Sequence, residues 1–433
     1  MKISIVGTGY VGLVTGTCFA ELGHEVLCID NNEEKINTLK DGGIPIYEPG
    51  LKELVTKNTK EKRLSFSTSI KQAVNENEMI FVAVNTPPLD DGSADLCYVE
   101  AVSKEIAENL TDYRIIVSKS TVPVETGKWI KKTIQKYAPK DVEYDVASNP
   151  EFLREGRAVE DFLNPDRVVI GGESKKAEQK MRELYKPLED KTEILVTNIE
   201  SAELIKHASN SFLALKISYI NAVANVCEKT NADIKEVAGG MGLDKRIGKH
   251  FLNAGVGFGG SCFPKDLSAF IKISEELGYD FSLLKEVKKI NALQKDLILG
   301  KIKELVWNLR GKIVGVLGLA FKPDTDDMRN APSIDIIKNL IEQGAQVKAY
   351  DPQAVHNAKK VLPEQVKYTE NLYDAARDSD VLVILTGWRE FKDMDLQRIK
   401  SELLDPPCIV DGRNIFEPKE MKKKGFNYLG VGR

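Results

Sequence analysis

The sequence is poor in the residues that build metal centres and disulfide frameworks. Among 433 residues there are only six cysteines and four histidines, and no two cysteines form a CxxC pair. Zinc clusters and disulfide-stapled folds need such spacings, so the pattern argues against both. Scattered thiols are typical of a reducing compartment. We therefore expect no metal ion and a cytoplasmic location.

Long apolar runs and a strong net charge are also lacking. No apolar run is long enough to cross a bilayer, and the opening residues MKISIVGTGYVG predict a strand rather than a signal peptide. Lys plus Arg number 61 and Asp plus Glu number 65, which gives a net charge of −4. Because this balance offers no basic field, we expect neither nucleic acid nor a membrane as a partner.

An ordinary globular composition accompanies these absences. Forty-two per cent of the residues are apolar and 29% are charged, and a chain of 433 residues predicts two or three domains. Lys2–Val6 predicts a strand, Gly7–Gly12 a turn and Leu13–Leu22 a helix. Strand-like runs follow at Glu25–Ile29, Met79–Val84, Ile115–Lys119 and Asp145–Ala147. Strands that alternate with helices predict a parallel sheet covered on both faces.

The opening pattern returns near residue 312. Ile313–Gly318 repeats the first strand and turn, and the spacing of Glu21, Gly23, Val26 and Asp30 recurs at Glu342, Gly344, Val347 and Asp351. Between the two lies an apolar helix, from about Glu200 to Lys229, which we expect to be buried and to leave some apolar face for a subunit contact. We predict an α/β protein with two Rossmann-like doubly wound domains joined by a long central helix and a helical middle domain. The predicted domains are 1–199, 200–309 and 310–433.

The first turn has the features of a dinucleotide site. Gly7 permits the tight turn, Gly9 lets the backbone approach a pyrophosphate at the helix N-terminus, and Gly12 allows close helix–strand packing. Asp30 ends the second predicted strand and can accept both ribose hydroxyls. Its carboxylate would repel a 2′-phosphate, so the pattern favours NAD over NADP. Lys35 lies one helical turn further, where it reaches either the adenosine or solvent.

Two loops follow other strands of the same predicted sheet. Thr86 lies in the NTPP loop and Thr121 in the STVP loop. Because ligands of open α/β sheets bind at the carboxyl ends of strands, both hydroxyls are candidate cofactor contacts. The alternative is that they are turn and cap residues.

A glycine-rich segment precedes the most reactive candidate residue. Four of the six residues in Gly255–Gly260 are glycine, which lets the backbone approach a ligand closely. Pro264 is typical of a first helical turn, so we expect Cys262 just before a helix N-terminus, where the thiolate is favoured. Lys265 adds to that field, and Asp266 opposes it unless it is bonded to a neighbour or engaged in proton transfer. A buried inert cysteine is the alternative.

Polar residues in the apolar helix and after one strand form two further candidate groups. Lys206 and Asn210 are four residues apart and share one helix face, where a lysine can stabilise an alkoxide. Read alone, they are as readily a satisfied core pair or an exposed stripe. Glu151 and Glu155 flank Arg154, and one of these acids can serve as general base while the other orients it. A salt-bridged helix start is the alternative.

The second Rossmann-like turn lacks the third glycine. It presents Lys322 and Arg329 instead, which suits a nucleotide diphosphate held differently from a dinucleotide.

Together these motifs resemble those of the nucleotide-sugar 6-dehydrogenases of the UDP-glucose/GDP-mannose dehydrogenase family. The match extends over nearly the whole chain and comprises GxGYVG, NTPP, STVP, NPEFLREG, GVGFGGSCFPKD and AFKPDTDDMR. The resemblance implies an NAD-dependent four-electron oxidation of a sugar C6 alcohol to a carboxylate, through a thiohemiacetal and a thioester on Cys262. The implied substrate is UDP-glucose and the product is UDP-glucuronate for polysaccharide biosynthesis. A UDP-N-acetylhexosamine or GDP-mannose is the alternative substrate.

The resemblance also implies a role for each candidate residue. Cys262 is the nucleophile, Lys206 and Asn210 stabilise oxyanions, Asp266 assists proton movement, Glu151 serves thioester hydrolysis and Thr121 holds a water. With the glycines above, the cofactor contacts are Gly7, Gly9, Val11, Gly12, Asp30, Lys35, Thr86, Thr121, Glu155, Lys265 and Arg329. The substrate contacts are Glu151, Phe152, Leu153, Arg154, Glu155, Lys206, Asn210, Arg246, Phe251, Leu252, Asn253, Ala254, Gly255, Gly259, Lys322 and Arg413. Arg246 is expected to reach substrate across a homodimer interface.

Each predicted domain thereby gains a role: NAD binding for 1–199, dimerisation for 200–309 and UDP-sugar binding for 310–433. Two other functions stay open. A two-electron hydroxy-acid dehydrogenase would use only Lys206 and Asn210 and would not need Cys262. A non-catalytic NAD-responsive binding module would release no NADH with any sugar nucleotide.

Overall fold

The computed structural model describes all 433 residues, and these divide into two compact units. The first unit comprises residues 1–209 and 268–278, and the second comprises 210–267 and 279–433. Each unit contains one open sheet with helices on both faces. The predicted three-domain division, with ends at 199 and 309, stays a prediction.

The sheet of the first unit has eight strands in the order β3-β2-β1-β4-β5-β6-β7-β8. All neighbouring strands are parallel except the pair β6–β7. The strands are β1 (Lys2–Val6), β2 (Glu25–Ile29), β3 (Leu64–Ser67), β4 (Met79–Val82), β5 (Arg114–Ser118), β6 (Tyr144–Ser148), β7 (Arg167–Gly172) and β8 (Glu193–Thr197).

The sheet of the second unit has six parallel strands in the order β11-β10-β9-β12-β13-β14. These strands are β9 (Ile313–Leu317), β10 (Gln346–Tyr350), β11 (Lys367–Tyr368), β12 (Val381–Ile384), β13 (Cys408–Asp411) and β14 (Asn427–Leu429). Their order repeats that of the first six strands of the other sheet, which is the order of Rossmann domains. The predicted pair of Rossmann-like domains is confirmed.

Eighteen α-helices and one 3-10 turn, Lys186–Leu188, complete the structure. The helices are α1 (Tyr10–Glu21), α2 (Glu33–Lys40), α3 (Leu51–Lys60), α4 (Ile70–Glu76), α5 (Cys97–Glu108), α6 (Thr126–Tyr137), α7 (Ala158–Leu163), α8 (Lys175–Tyr185), α9 (Ile199–Thr230), α10 (Ile234–Leu243), α11 (Phe263–Glu276), α12 (Ser282–Val306), α13 (Pro332–Glu342), α14 (Val355–Val361), α15 (Leu372–Ala376), α16 (Arg389–Lys392), α17 (Leu396–Glu402) and α18 (Pro418–Lys423). None of them is both long enough and apolar enough to cross a lipid bilayer.

Successive residues of the central strands belong to opposite cores. In β4, Met79 and Phe81 join one apolar cluster, whereas Ile80 and Val82 join the other. Because side chains of a strand alternate between its faces, a strand that is buried on both faces must be continuously apolar. This explains why the strands read as short apolar runs in the sequence.

The central helix α9 is less buried than its sequence predicts. Ile220 and Ala224 are buried in the core of the second unit. Phe212, Tyr219 and Val226, however, are 60%, 52% and 59% exposed. The predicted burial is therefore wrong for Phe212, whereas the expectation that some apolar face of this helix stays uncovered in the single chain agrees with the structure. We call Phe212, Leu215, Tyr219, Ala222 and Val226 the exposed stripe, because they recur at the three- and four-residue steps of one helix face.

Phe19 anchors the core of the first unit and provides a test of the fold. It is fully buried, and its ring lies 5.0 Å from Phe162, 5.2 Å from Tyr185 and 5.6 Å from Phe81, measured between centroids. We expect Phe19→Ala to lower the free energy of unfolding of this unit by about 3–5 kcal/mol, because it removes a ring and leaves a cavity. Urea unfolding followed by circular dichroism measures the loss. Tyr98→Ala, at a side chain that is 51% exposed, is the control, and an equal loss there would contradict the assignment.

Candidate active site

Three glycines shape the turn after β1: two of them allow its close backbone packing, and the third borders open space. Gly7 has a φ of +106°, and a Cβ there would lie 2.4 Å from the Ala83 carbonyl oxygen. A Cβ on Gly12 would lie 1.9 Å from the Gly7 oxygen, so both positions require glycine. Gly9 caps α1 without a side-chain hydrogen bond, and a Cβ there would meet nothing nearer than Asn85 Oδ1 at 4.0 Å. This open space before a helix N-terminus fits the pyrophosphate of NAD.

Asp30 follows β2 and is held by its neighbours. Its Oδ2 accepts hydrogen bonds from the Thr8 N–H at 2.9 Å and from the Thr8 hydroxyl at 2.8 Å, and its Oδ1 accepts one from the Asn32 N–H at 3.0 Å. Partial burial opposes ionisation, yet these hydrogen bonds hold the pKa of Asp30 below its usual range. The Lys35 Nζ lies 3.6 Å from Oδ2, so this lysine pairs with Asp30. A fixed carboxylate at this place fits the adenosine ribose of NAD.

The matching residue of the second unit, Asp351, is closed to a ligand. It is 2% exposed, and its Oδ2 accepts hydrogen bonds from the Leu319 N–H at 2.7 Å, the Ala320 N–H at 3.1 Å and Trp388 Nε1 at 3.2 Å. Its Oδ1 accepts the N–H groups of Gln353 and Ala354. Because internal donors occupy both of its oxygens, Asp351 has no acceptor left for the hydroxyls of a ribose. The second unit therefore has the same scaffold but cannot hold a ribose at this position as Asp30 can in the first unit.

The two threonine loops contact each other. The Thr86 hydroxyl donates to the Thr121 carbonyl oxygen at 2.9 Å, and the Ser120 hydroxyl donates to the Val84 oxygen at 2.6 Å. These bonds join the loops that follow β4 and β5. Both predicted threonines thus lie at the carboxyl edge of the first sheet, as does Val11 in the second residue of α1.

A buried ion pair connects the segment after β6 to α9. The Lys206 Nζ donates to Glu151 Oε1 at 2.9 Å, and the side chains are 4% and 3% exposed. Glu151 Oε2 accepts the Leu153 N–H at 2.5 Å. The Lys206 Nζ also lies 5.4 Å from the centre of the Phe152 ring. A lysine in an apolar helix needs such a partner, because an unpaired buried charge is costly.

Arg154 and Glu155 do not form the predicted alternative, a salt-bridged helix start. Residues 151–157 are not helical, and α7 begins only at Ala158. The Arg154 guanidinium binds Asp161 through two hydrogen bonds of 2.9 and 2.5 Å. Glu48, which the sequence analysis missed, accepts the N–H groups of Gly156 and Ala158 at 2.6 and 2.7 Å. A lone glutamate among turn residues carries no motif that could have revealed this anchor.

In the second unit, Cys262 immediately precedes α11, as the position of Pro264 predicts. Cys262 is half-buried, and its Sγ lies 3.5 Å from the Ser261 hydroxyl. Its carbonyl oxygen accepts the Asp266 N–H at 2.8 Å, which closes the first turn of the helix. The partial positive charge of the helix N-terminus favours the thiolate form of a cysteine at this place.

Asp266 is paired with residues that the sequence predicts for the site. It is 1% exposed, its Oδ2 accepts a hydrogen bond from Asn210 Nδ2 at 2.6 Å, and its Oδ1 lies 3.1 Å from the Lys265 Nζ. The carboxylate of Asp266 is therefore engaged by two neighbouring side chains. Lys206 and Asn210 are one turn apart in α9, so this helix contributes to both polar pairs.

Asparagines fix the backbone of the glycine-rich segment. Asn291 in α12 accepts the Phe258 N–H at 2.8 Å and donates to the Phe258 oxygen at 3.0 Å. Asn221 in α9 accepts the Gly255 N–H at 2.8 Å. Sequence reasoning missed these residues, because single asparagines in helices belong to no motif. Their amides can satisfy both backbone groups of a loop, which keeps the segment before Cys262 in one conformation.

The remaining predicted substrate residues lie mostly near this segment. The Arg413 guanidinium donates to the carbonyl oxygens of Leu385 at 2.7 Å, Phe321 at 2.9 Å and Gly257 at 3.4 Å, and burial lowers the pKa of Arg413 to about 10. Lys322 Nζ lies 5.6 Å from the Phe321 ring centre. Phe251, Leu252, Asn253, Ala254, Gly255 and Gly259 form the stretch before the cysteine.

Two arginines that the sequence predicts for the site, Arg329 and Arg246, belong neither to the Lys206–Glu151 pair nor to the Asn210–Asp266 pair. The Arg329 guanidinium binds Asp327, although its carbonyl oxygen accepts the Gly260 N–H at 2.8 Å. Arg246 binds Asp244, and its side chain is 89% exposed. Within a single chain, Arg246 therefore contacts no other predicted substrate residue.

Comparisons with known proteins agree over the whole chain. Three domain models of one family match in order: the NAD binding domain at residues 1–189, the central domain at 200–293 and the UDP binding domain at 315–418. The UDP-glucose 6-dehydrogenase TuaD of Bacillus subtilis is 50% identical over 432 residues, which cover 100% of this chain and 93% of that protein. The UDP-glucose 6-dehydrogenase of Rhizobium meliloti is 45% identical, with 100% of each chain covered.

Solved structures give the same result. A UDP-glucose dehydrogenase from Pyrobaculum islandicum has a TM-score of 0.93 and 40% sequence identity, with coverage of 100% of this chain and 97% of that chain. A UDP-D-ManNAc dehydrogenase from Pyrococcus horikoshii has a TM-score of 0.88 and 27% identity, with coverage of 100% and 99%. Since every domain matches and half of the residues are shared with one full-length relative, the chain belongs to the UDP-glucose/GDP-mannose dehydrogenase family.

Proposed function

We propose that this protein oxidises UDP-glucose to UDP-glucuronate with two molecules of NAD, through covalent intermediates on Cys262. The observation that carries the proposal is the position of Cys262 at the N-terminus of α11, followed by an aspartate whose charge Asn210 and Lys265 compensate. UDP-glucose is the substrate named in relatives that are 42–50% identical over the whole chain. The dehydrogenase named for a UDP-N-acetylated sugar is only 27% identical.

The residues of the site suit the first half of such a reaction. NAD, when bound at the turn after β1, supplies the hydride acceptor for each oxidation. Lys206 carries a positive charge in a buried setting, where it stabilises the alkoxide that forms as the C6 alcohol loses its proton. The Cys262 thiolate then adds to the aldehyde carbon and forms a thiohemiacetal. Besides the Lys206 ammonium, the Asn210 amide can donate a hydrogen bond to the oxygen of this intermediate.

Covalent capture explains how four electrons leave the substrate without release of the aldehyde. Thiolate addition leaves the thiohemiacetal oxygen deprotonated, and loss of a second hydride from this anion gives a thioester, in which the carbon already has the oxidation level of the acid. Water then replaces the sulfur, and the carboxylate product leaves. Glu151 is the candidate base for this hydrolysis, because it is the acid of the NPEFLREG segment that binds Lys206.

The exposed stripe supports a homodimer. Its aromatic and aliphatic side chains lie on a helix of 32 residues and would bury a continuous apolar face against a second copy. A dimer would also give Arg246 a neighbour, because its exposed side chain would be available to the substrate of the partner subunit. Six cysteines without a disulfide support a cytoplasmic location. The division into NAD-binding, dimerisation and UDP-sugar-binding domains, with ends at 199 and 309, is part of this proposal.

The stoichiometry of NADH tests the covalent route. We expect two NADH for each UDP-glucuronate and loss of net turnover by at least about a thousandfold in Cys262→Ala, because the nucleophile is gone. Absorbance counts NADH, and chromatography counts the product. Cys97→Ser, at an exposed cysteine, is the control. One NADH per product, or full activity of Cys262→Ala, would instead support a two-electron dehydrogenase.

Asp30 provides a test of the cofactor site. We expect Asp30→Asn to lower the preference for NAD over NADP, expressed as the ratio of the two kcat/KM values, by about tenfold to a hundredfold. The carboxylate gives charge-assisted hydrogen bonds to the ribose of NAD and repels the 2′-phosphate of NADP. Steady-state kinetics with each cofactor measures the ratio. Glu33→Gln, at an exposed acid three residues further on, is the control, and the proposal fails if both variants behave alike.

The exposed stripe provides a test of the oligomer. We expect Phe212→Asp to convert the dimer to a monomer, because it replaces the most exposed aromatic ring of the exposed stripe by a charge. Analytical ultracentrifugation measures the mass. Val361→Asp, at an apolar side chain of α14 that is 42% exposed, should leave the dimer intact. A monomeric parent protein would contradict the proposed dimer directly.

A further inference from the structure

Glu151 lines a polar cavity of about 90 Å³ within the first unit. Its lining includes Lys119, Asn149 and Glu151, which are buried, as well as Asn164 and Asp166, which are exposed. A cavity needs only about 10–15 Å³ of such volume to hold a water molecule, so water fits here, and the polar lining offers it partners. The cavity therefore connects a buried carboxylate to solvent.

Lys119 is the residue of this cavity for which the proposed chemistry has no role yet. It directly follows β5, and its backbone N–H continues the ladder by donating to the Val82 oxygen at 2.9 Å. Its side chain is buried, and Nζ donates to Asn149 Oδ1 at 2.9 Å. No carboxylate forms an ion pair with it. The acceptor is fixed in turn, because Asn149 donates to the Val169 oxygen at 2.7 Å and accepts the Tyr185 hydroxyl at 2.6 Å.

A lysine in this setting holds its proton weakly. Burial lowers the pKa of Lys119 to about 7, against the negative charge of Glu151 and with the help of the positive charge of Lys206. Lysines with such values act as proton acceptors near neutral pH. Burial therefore makes Lys119 a better proton acceptor than an exposed lysine would be.

Glu151, in contrast, has no direct way to pass on a proton. Both carboxylate oxygens are engaged, Oε1 by Lys206 and Oε2 by the Leu153 N–H, and the side chain is 3% exposed. If Glu151 takes a proton from water during hydrolysis, that proton must leave before the next turnover. The cavity is a route that the structure provides for it.

We propose that Lys119 is a positioning residue that acts through Glu151, by accepting across the cavity the proton that Glu151 gains during thioester hydrolysis. The inference rests on the proposed function. A water molecule gives its proton to Glu151 while its oxygen bonds to the thioester carbon; the C–S bond then breaks, and the sulfur of Cys262 leaves as the thiolate. The proton next passes from Glu151 to the Lys119 amine, which restores the carboxylate and forms an ammonium. The ammonium releases the proton to solvent through the cavity.

The other charged groups around the cavity do not compete for this proton. Arg154 is paired with Asp161, and the Arg167 guanidinium stacks on the Phe152 ring at 3.8 Å. Asp166 is exposed. On α8, burial raises the pKa of Tyr185, so its hydroxyl stays a neutral donor to Asn149. From α9, Lys206 faces Glu151 as its ion-pair partner.

Lys119→Met tests the proposal, because methionine keeps the length of the side chain and removes the amine. We expect kcat to fall about tenfold to a hundredfold, the KM for UDP-glucose to change less than about threefold, and the acyl-enzyme to accumulate. In the parent protein, kcat should rise with pH through about pH 7 as Lys119 loses its proton, and the variant should lack this limb. Intact-protein mass spectrometry of quenched reactions detects the thioester adduct. Lys52→Met, at an exposed lysine, is the control.

Further variants separate a proton-accepting role from a structural one. Lys119→Arg keeps a positive charge that cannot be lost, so it should also accumulate the adduct. Tyr185→Phe removes the other donor to Asn149 Oδ1, so this oxygen binds the Lys119 ammonium more strongly. The pH at which kcat rises should therefore shift upward by about half a unit. Tyr185→Phe also serves as the test if Lys119→Met does not fold. The inference is overturned if Tyr185→Phe leaves the pH dependence of kcat unchanged. It is also overturned if Lys119→Met loses thermal stability without accumulating the thioester adduct. Failure of the proposed function differs from both, because the parent protein would then form no adduct with UDP-glucose.

Discussion

The buried ion pair between Lys206 and Glu151 is the constraint on which the rest of the candidate site depends. The two charged side chains are only 4% and 3% exposed. Their burial is tolerated because each charge neutralises the other and the Leu153 N–H donates to the second oxygen of Glu151. The pair joins the segment after β6 to the first turns of α9. Asn210, one turn later, binds Asp266 in the same way.

The chain uses Rossmann architecture twice but for different purposes. In both units a glycine with positive φ ends the first strand, and an aspartate after the second strand accepts N–H groups of that turn. At Asp30 the carboxylate stays partly exposed, whereas at Asp351 a tryptophan donor closes the position. The spacing that the two turns share therefore predicts the same backbone geometry in both units, but it does not predict that both bind the same ligand.

Much of this organisation could be predicted from the sequence. The two sheets follow from short apolar runs, and the dinucleotide turn follows from glycines that a Cβ would exclude at Gly7 and Gly12. Lys119, Asn291 and Glu48 could not be predicted, because their partners are 30, 33 and 108 residues away and no motif links them. The exposure of Phe212 was also unpredictable, since helical periodicity identifies an apolar face but not whether the same chain covers it.

The closed position at Asp351 limits how the two halves of the chain can be exchanged. Five donors occupy its carboxylate, and one of them comes from Trp388, which is remote in sequence. A chimera that moved residues 313–351 into the amino-terminal half would carry Asp351 without the Trp388 indole that donates to it. A chimera in the opposite direction would place Asp30 beside the Trp388 indole, a donor that Asp30 does not have in its own unit. Although the two halves have the same strand order, they are not interchangeable modules for protein engineering.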